Sequence, residues 1–149
     1  DASWAVFFLA GLWLRDARMF PAFFALGWGA DLAAFSLGTP TLCYSPAYFF
    51  LIPAYGALWA AGQWVASRAE HGLPSVAAAV LGSATIAFTV ANLGMYLMAP
   101  PAASPGLGSF AAQVASWFPG YLLTMSVYVA SGLLIAALVS VRRAALAQR

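Results

Sequence analysis

An all-α polytopic membrane bundle is the architecture expected of this sequence, on three grounds. Hydrophobic residues make up 64% of the 149 and charged residues only 7%, where an ordinary soluble domain carries roughly 25% charged residues. That leaves too few polar groups to cover a water-exposed surface, and a mean hydropathy of +0.87 expresses the same deficit. The apolar residues also fall in long runs, and a run of about 20 is what a helix needs to cross the hydrocarbon core. Lipid offers the backbone no hydrogen-bond partner, so a spanning run must satisfy itself as a helix. The expectation is a single transmembrane domain over residues 1–149 with five spans.

The first run, residues 2–14, is apolar but short, and it stops at Arg15-Asp16-Ala17-Arg18. The second, 17–37, carries Pro21, Gly27, Gly29 and Asp31 and ends at the breaker Gly38-Thr39-Pro40. A third run starts at Pro46, a residue favoured in a first helical turn, and continues to Ser67, with a kink expected near Pro53. The polar turn from Ser67 to Gly72 follows. The fourth, 74–99, is rich in alanine and ends at Pro100-Pro101. Residues 102–108 read as a flexible connection and 109–118 as a short helix along the interface. The last span follows Pro119 and continues to Val141, ahead of a basic tail ending at Arg149.

All six basic residues are arginines, at positions 15, 18, 68, 142, 143 and 149. They occupy the first connection, the third connection and the C-terminal tail, which five spans place on one side. The second and fourth connections carry no charge. The positive-inside rule then puts the arginines and the C-terminus in the cytoplasm and residues 38–45 and 100–118 outside. The chain opens on Asp1 with no basic n-region or small-residue cleavage site, and one further N-terminal helix, giving six, is expected upstream. A multi-pass protein of a bacterial cytoplasmic (inner) membrane fits these features. Nucleic acid is not an expected partner, because the arginines are spread thinly among apolar runs.

Chemistry-bearing residues concentrate on the outer side. Thr39-Pro40-Thr41-Leu42-Cys43-Tyr44-Ser45-Pro46-Ala47-Tyr48 holds the lone cysteine between two prolines that stiffen the loop. A thiolate there suits a soft metal or attack on an electrophile, while the competing reading is a small buried hydrophobe. Asp31 lies about six residues inside the outer end of its span, or roughly 9 Å by helix rise. An intramembrane acid marks a site by default; otherwise it reaches the interface or bonds a neighbouring helix. Asn92 and Tyr96 are four apart, as are Trp117 and Tyr121, so each pair shares a helix face. With Tyr44 and Tyr48 they are the makings of an outer pocket with aromatic walls, or else an aromatic belt at the headgroups. One cysteine excludes a CxxC pair. The only histidine, His71, falls on the opposite side from Cys43, which disfavours a Cys/His nucleophile pair.

TPTLCYSPAYFFLIPAYGALW at 39–59, ANLGMYL at 91–97 and FAAQVASWFPGYLLTMSVYVA at 110–130 resemble the BtuM-type cobalamin-binding S-components of energy-coupling-factor (ECF) transporters. The resemblance implies a six-helix subunit for vitamin uptake that captures cobalamin from outside and hands it inward. It works with an ECF energising module, a transmembrane T-component with ATPases, or alone. In that family a cysteine of the corresponding outer loop ligates the corrin cobalt, which assigns the role of cobalt ligand to Cys43. Tyr48 would contact the corrin, and Asp31, Tyr44, Asn92, Tyr96, Trp117 and Tyr121 complete the expected cobalamin-binding pocket. A thiolate on cobalt is also expected to displace an upper ligand such as cyanide, the one step in which Cys43 would count as catalytic. The small-residue face by which S-components dock on the energising module has no counterpart here. Two other readings stay open: a membrane-embedded cysteine enzyme of exosortase type, and a structural subunit without a ligand.

Overall fold

The computed structural model describes residues 2–14, 16–38, 46–68, 72–98 and 106–147. They form six α-helices: α1 (Ser3–Leu14), α2 (Phe20–Ser36), α3 (Leu51–Ser67), α4 (Leu73–Met98), α5 (Leu107–Ala115) and α6 (Phe118–Ala147). No strand occurs among the described residues. The all-α bundle is therefore as expected.

Punctuation residues set the boundaries. The carboxylate of Asp16 accepts the backbone N–H of Arg18 at 2.9 Å and so caps the 3-10 turn Ala17–Met19 that leads into α2. Pro21 then sits in the first turn of α2, where no helical N–H is called for. Pro46 opens a 3-10 segment, Pro46–Phe50, ahead of α3. Pro53 falls in the first turn of α3, so its missing N–H removes no helical bond. The irregularity expected at Pro53 lies instead just before it, where 3-10 gives way to α. Helix α6 runs past Val141 through both arginines to Ala147, because Arg, Ala and Leu are all strong helix formers.

Four stretches are long and apolar enough to cross a membrane: Ala17–Ser36, Pro46–Ser67, Leu73–Met98 and Leu107–Ala147. Helix α1 is apolar too, but its 12 residues rise only about 18 Å. Serine and threonine hydroxyls along the spans donate to carbonyls of their own helix, among them Thr85 to Leu81, Thr89 to Thr85, Thr124 to Gly120 and Ser131 to Val127. Each hydroxyl is thus satisfied without water, as a helix in lipid requires.

The short α1 is the packing centre. Trp4, Ala5, Phe7, Phe8, Ala10, Gly11 and Leu12 are all buried, most closely against α3. Two glycines permit that approach: a Cβ on Gly11 would overlap the Trp59 carbonyl, and one on Gly62 would overlap the Phe8 carbonyl. Close backbone contact of this kind replaces the hydrophobic effect as a source of cohesion between helices in lipid.

Successive contacts fix direction. Phe7 stacks on Tyr55 at 4.4 Å, Gly11 meets Trp59 and Leu12 meets Gly62, so α1 and α3 run parallel. Phe20 meets Trp59 and Phe24 meets Tyr55, so α2 runs the other way. Gly94 of α4 abuts the Phe50 ring, which makes α4 antiparallel to α3. Trp4 packs on Tyr121 at 5.1 Å while Leu9 and Trp13 lie over Gly132, so α6 parallels α1. Arg18, Arg68, Arg142 and Arg143 consequently share one end of the bundle, termed the basic end. The starts of α1, α3 and α6 share the other, the distal end. Arg15 and Arg149 lie outside the described residues.

Candidate functional site

The distal end gathers most of the residues singled out from the sequence. Asp31, near the end of α2, accepts a hydrogen bond through Oδ2 from the hydroxyl of Tyr48, which belongs to the 3-10 segment before α3. A carboxylate at membrane depth needs a donor, and the phenol supplies one across a helix boundary. Tyr55, one helical turn into α3, is hydrogen-bonded to Ser3 of α1 and lies within electrostatic range of Asp31 and Tyr121. Polar side chains from α1, α2, α3 and α6 thus converge on this end.

An aromatic cluster stands beside them. Tyr121 packs against Trp4 at 5.1 Å and Phe88 at 5.8 Å, and Phe88 takes the edge of Phe118 at 5.2 Å. Tyr96 pairs with Phe110 at 5.1 Å, which ties α5 down onto α4. Half-buried Asn92 donates through Nδ2 to the Phe88 carbonyl at 2.8 Å, a bond to its own helix. Trp117 occupies the turn between α5 and α6 with about half its surface exposed, at 49%. Of the expected pocket residues, Asp31 and Tyr48 therefore meet directly. Tyr121 and Tyr96 join separate ring contacts. Cys43 and Tyr44 lie outside the described residues.

A lateral cleft of about 730 Å³ separates α2 from the start of α3. Phe20, Phe24 and Trp28 form one wall, and Tyr48, Phe49 and Ile52 face them. Of the residues expected in a pocket, Tyr48 lines this cleft, with its ring in the wall and its hydroxyl on Asp31. The α2 wall was missed in the sequence, although the four-residue spacing of its three aromatics, which share a helix face, was a signal for it. Trp4, Phe88 and Phe118 carried no such signal, since their contacts link distant segments. Among the described residues no three His, Cys, Asp or Glu side chains gather in a way that could hold a metal ion. The arrangement suits noncovalent capture of a broad, mainly apolar guest, with a phenol and a carboxylate for orientation. No family model matches this sequence, and no curated protein matches it either.

Proposed function

We propose that the protein is a substrate-binding membrane subunit for cobalamin uptake, with Cys43 as a ligand of the corrin cobalt. The observation that carries the reading is the Asp31–Tyr48 hydrogen bond. It ties the residues directly after the Cys43 segment to α2 at the end of the bundle opposite the described arginines. A rigid neighbour is what a loop needs if it is to offer a ligand to a large guest. The exposed ring of Tyr121, backed by buried Trp4 and Phe88, offers flat apolar surface at the same end.

On this reading cobalamin enters from outside, the arginines and C-terminus face the cytoplasm of a bacterial inner membrane, and passage inward is a rocking of the bundle around the bound vitamin. An ECF energising module is the partner proposed to drive it. In cyanocobalamin the Cys43 thiolate would form a Co–S bond as the Co–CN bond breaks, cyanide leaving with its electron pair and cobalt keeping its oxidation state. Thiolate is a soft donor matched to such a metal.

Absorbance of the protein purified after growth with cyanocobalamin tests this. The parent is expected to carry a corrinoid spectrum shifted from that of free vitamin, and Cys43→Ser to lose the shift. Identical spectra and identical cyanide content in parent and variant would sink the assignment of Cys43. A colourless parent would sink the cobalamin reading as a whole.

A further inference from the structure

A second cleft, of about 570 Å³, opens between α1 and α6 toward the basic end, remote from the candidate site. We infer that it is a binding site for an anionic phospholipid, whose phosphodiester sits at Arg143 while one acyl chain lies along Leu9, Trp13, Ile135 and Val139.

Depth supports the assignment. Arg143 lies 25 residues after Phe118, which starts α6 at the distal end, so the two are about 38 Å apart by helix rise. A hydrocarbon core is about 30 Å thick, which puts the guanidinium at headgroup level when Phe118 stands at the opposite interface. The lining then divides as a phospholipid does: the cleft has apolar walls from Leu9 to Val139, with Ser140 and Arg143 at its mouth. Gly132 keeps the floor low, since a Cβ there would come within 2.7 Å of Leu9 Cδ1.

Charge supports it further. The described acids are Asp16, whose carboxylate caps the turn at Arg18, and Asp31, at the distal end. Among the described residues neither makes an ion pair with Arg143. Meeting no carboxylate among the described residues and poised over an apolar groove, the guanidinium complements a phosphodiester bidentately. Basic pockets between helices at a membrane face hold acidic lipids by this combination. Trp13, half exposed beside the cleft at 52%, has the amphipathic ring that sits well at the same level.

Native mass spectrometry of the detergent-solubilised protein, titrated with phosphatidylglycerol and separately with phosphatidylcholine, decides the matter. The parent is expected to retain phosphatidylglycerol in preference, and Arg143→Gln to lower that retention about fivefold, the factor one basic residue commands near an anionic surface. Ala136→Phe, which fills the cleft, is expected to reduce retention of both lipids. Arg143 is exposed, so its variant folds irrespective of the cleft's role. Equal retention of the two lipids by the parent, or an unchanged preference in Arg143→Gln, would overturn the site. A protein subunit co-purifying in this cleft and displacing lipid would overturn it too.

Discussion

Gly62 and Gly82 show how differently one residue type is used in this bundle. Both are helical, but a Cβ on Gly62 would strike the Phe8 carbonyl and crowd the Leu12 nitrogen at 2.7 Å, whereas Gly82 has nothing within 4 Å. Backbone atoms cannot swing aside as a side-chain tip can, so Gly62→Ala must push α1 off α3. The cost expected is about 1–3 kcal/mol, the usual range for overpacking. Gly82→Ala meets no such obstacle and gains helix propensity worth about 1 kcal/mol at most. Thermal unfolding followed by tryptophan fluorescence in detergent should therefore rank Gly82→Ala at or above the parent and Gly62→Ala below it. Equal midpoints for the two variants would mean that the α1–α3 crossing is not held by close backbone contact. Nothing in the sequence separated these glycines, because the difference lies in what faces each of them.

Helix α1 and helix α2 reverse the ranking that length alone gives. The 12-residue α1 has Phe8 fully buried, while the 17-residue α2 has no buried residue and leaves Leu26 70% exposed. Phe8→Ala should cost about 3–5 kcal/mol, as loss of a buried aromatic does. Leu26→Ala should stay within about 0.5 kcal/mol, since lipid replaces the missing contacts. Denaturation by sodium dodecyl sulfate titrated into mild-detergent micelles measures both, and a larger loss from Leu26→Ala would place α2 at the centre instead. Element boundaries were legible because Pro, Gly and charged residues break the runs: α2, α3 and α4 begin and end within a few residues of the runs 17–37, 46–67 and 74–99. The burial order was not legible, for a physical reason. In lipid the outward face of a helix is as apolar as its inward face, so hydrophobicity no longer reports which side is core. The same loss of contrast hid the contacts of Trp4 and Phe88 with Tyr121, whereas Asp31 stood out as an acid in an apolar run and Tyr48 as an aromatic of the cysteine loop, and the two are bonded to each other.

At the scale of the whole molecule, charge and packing agree on a division into two ends. Parallel α1, α3 and α6 bring Arg18, Arg68, Arg142 and Arg143 together, although they are far apart in sequence. Moving an arginine through the hydrocarbon core costs about 2.5–3.5 kcal/mol even on insertion scales, so the four act jointly to hold one orientation. Loops rich in Lys or Arg stay on the cytoplasmic side during insertion, and the basic end is accordingly expected there. Two single-cysteine variants in a Cys43→Ser background test this in intact bacterial cells with a membrane-impermeant maleimide. Gly106→Cys, at the start of α5 and exposed at the distal end, should label without permeabilisation. Ala145→Cys, beyond Arg143 on α6, should label only once the membrane is opened. The reverse pattern would turn the bundle over and carry the Asp31–Tyr48 pair to the cytoplasmic face, where it could not receive a vitamin from outside. Labelling of both positions in intact cells would mean that the chain crosses an even number of times between them, and α6 could then no longer be a span.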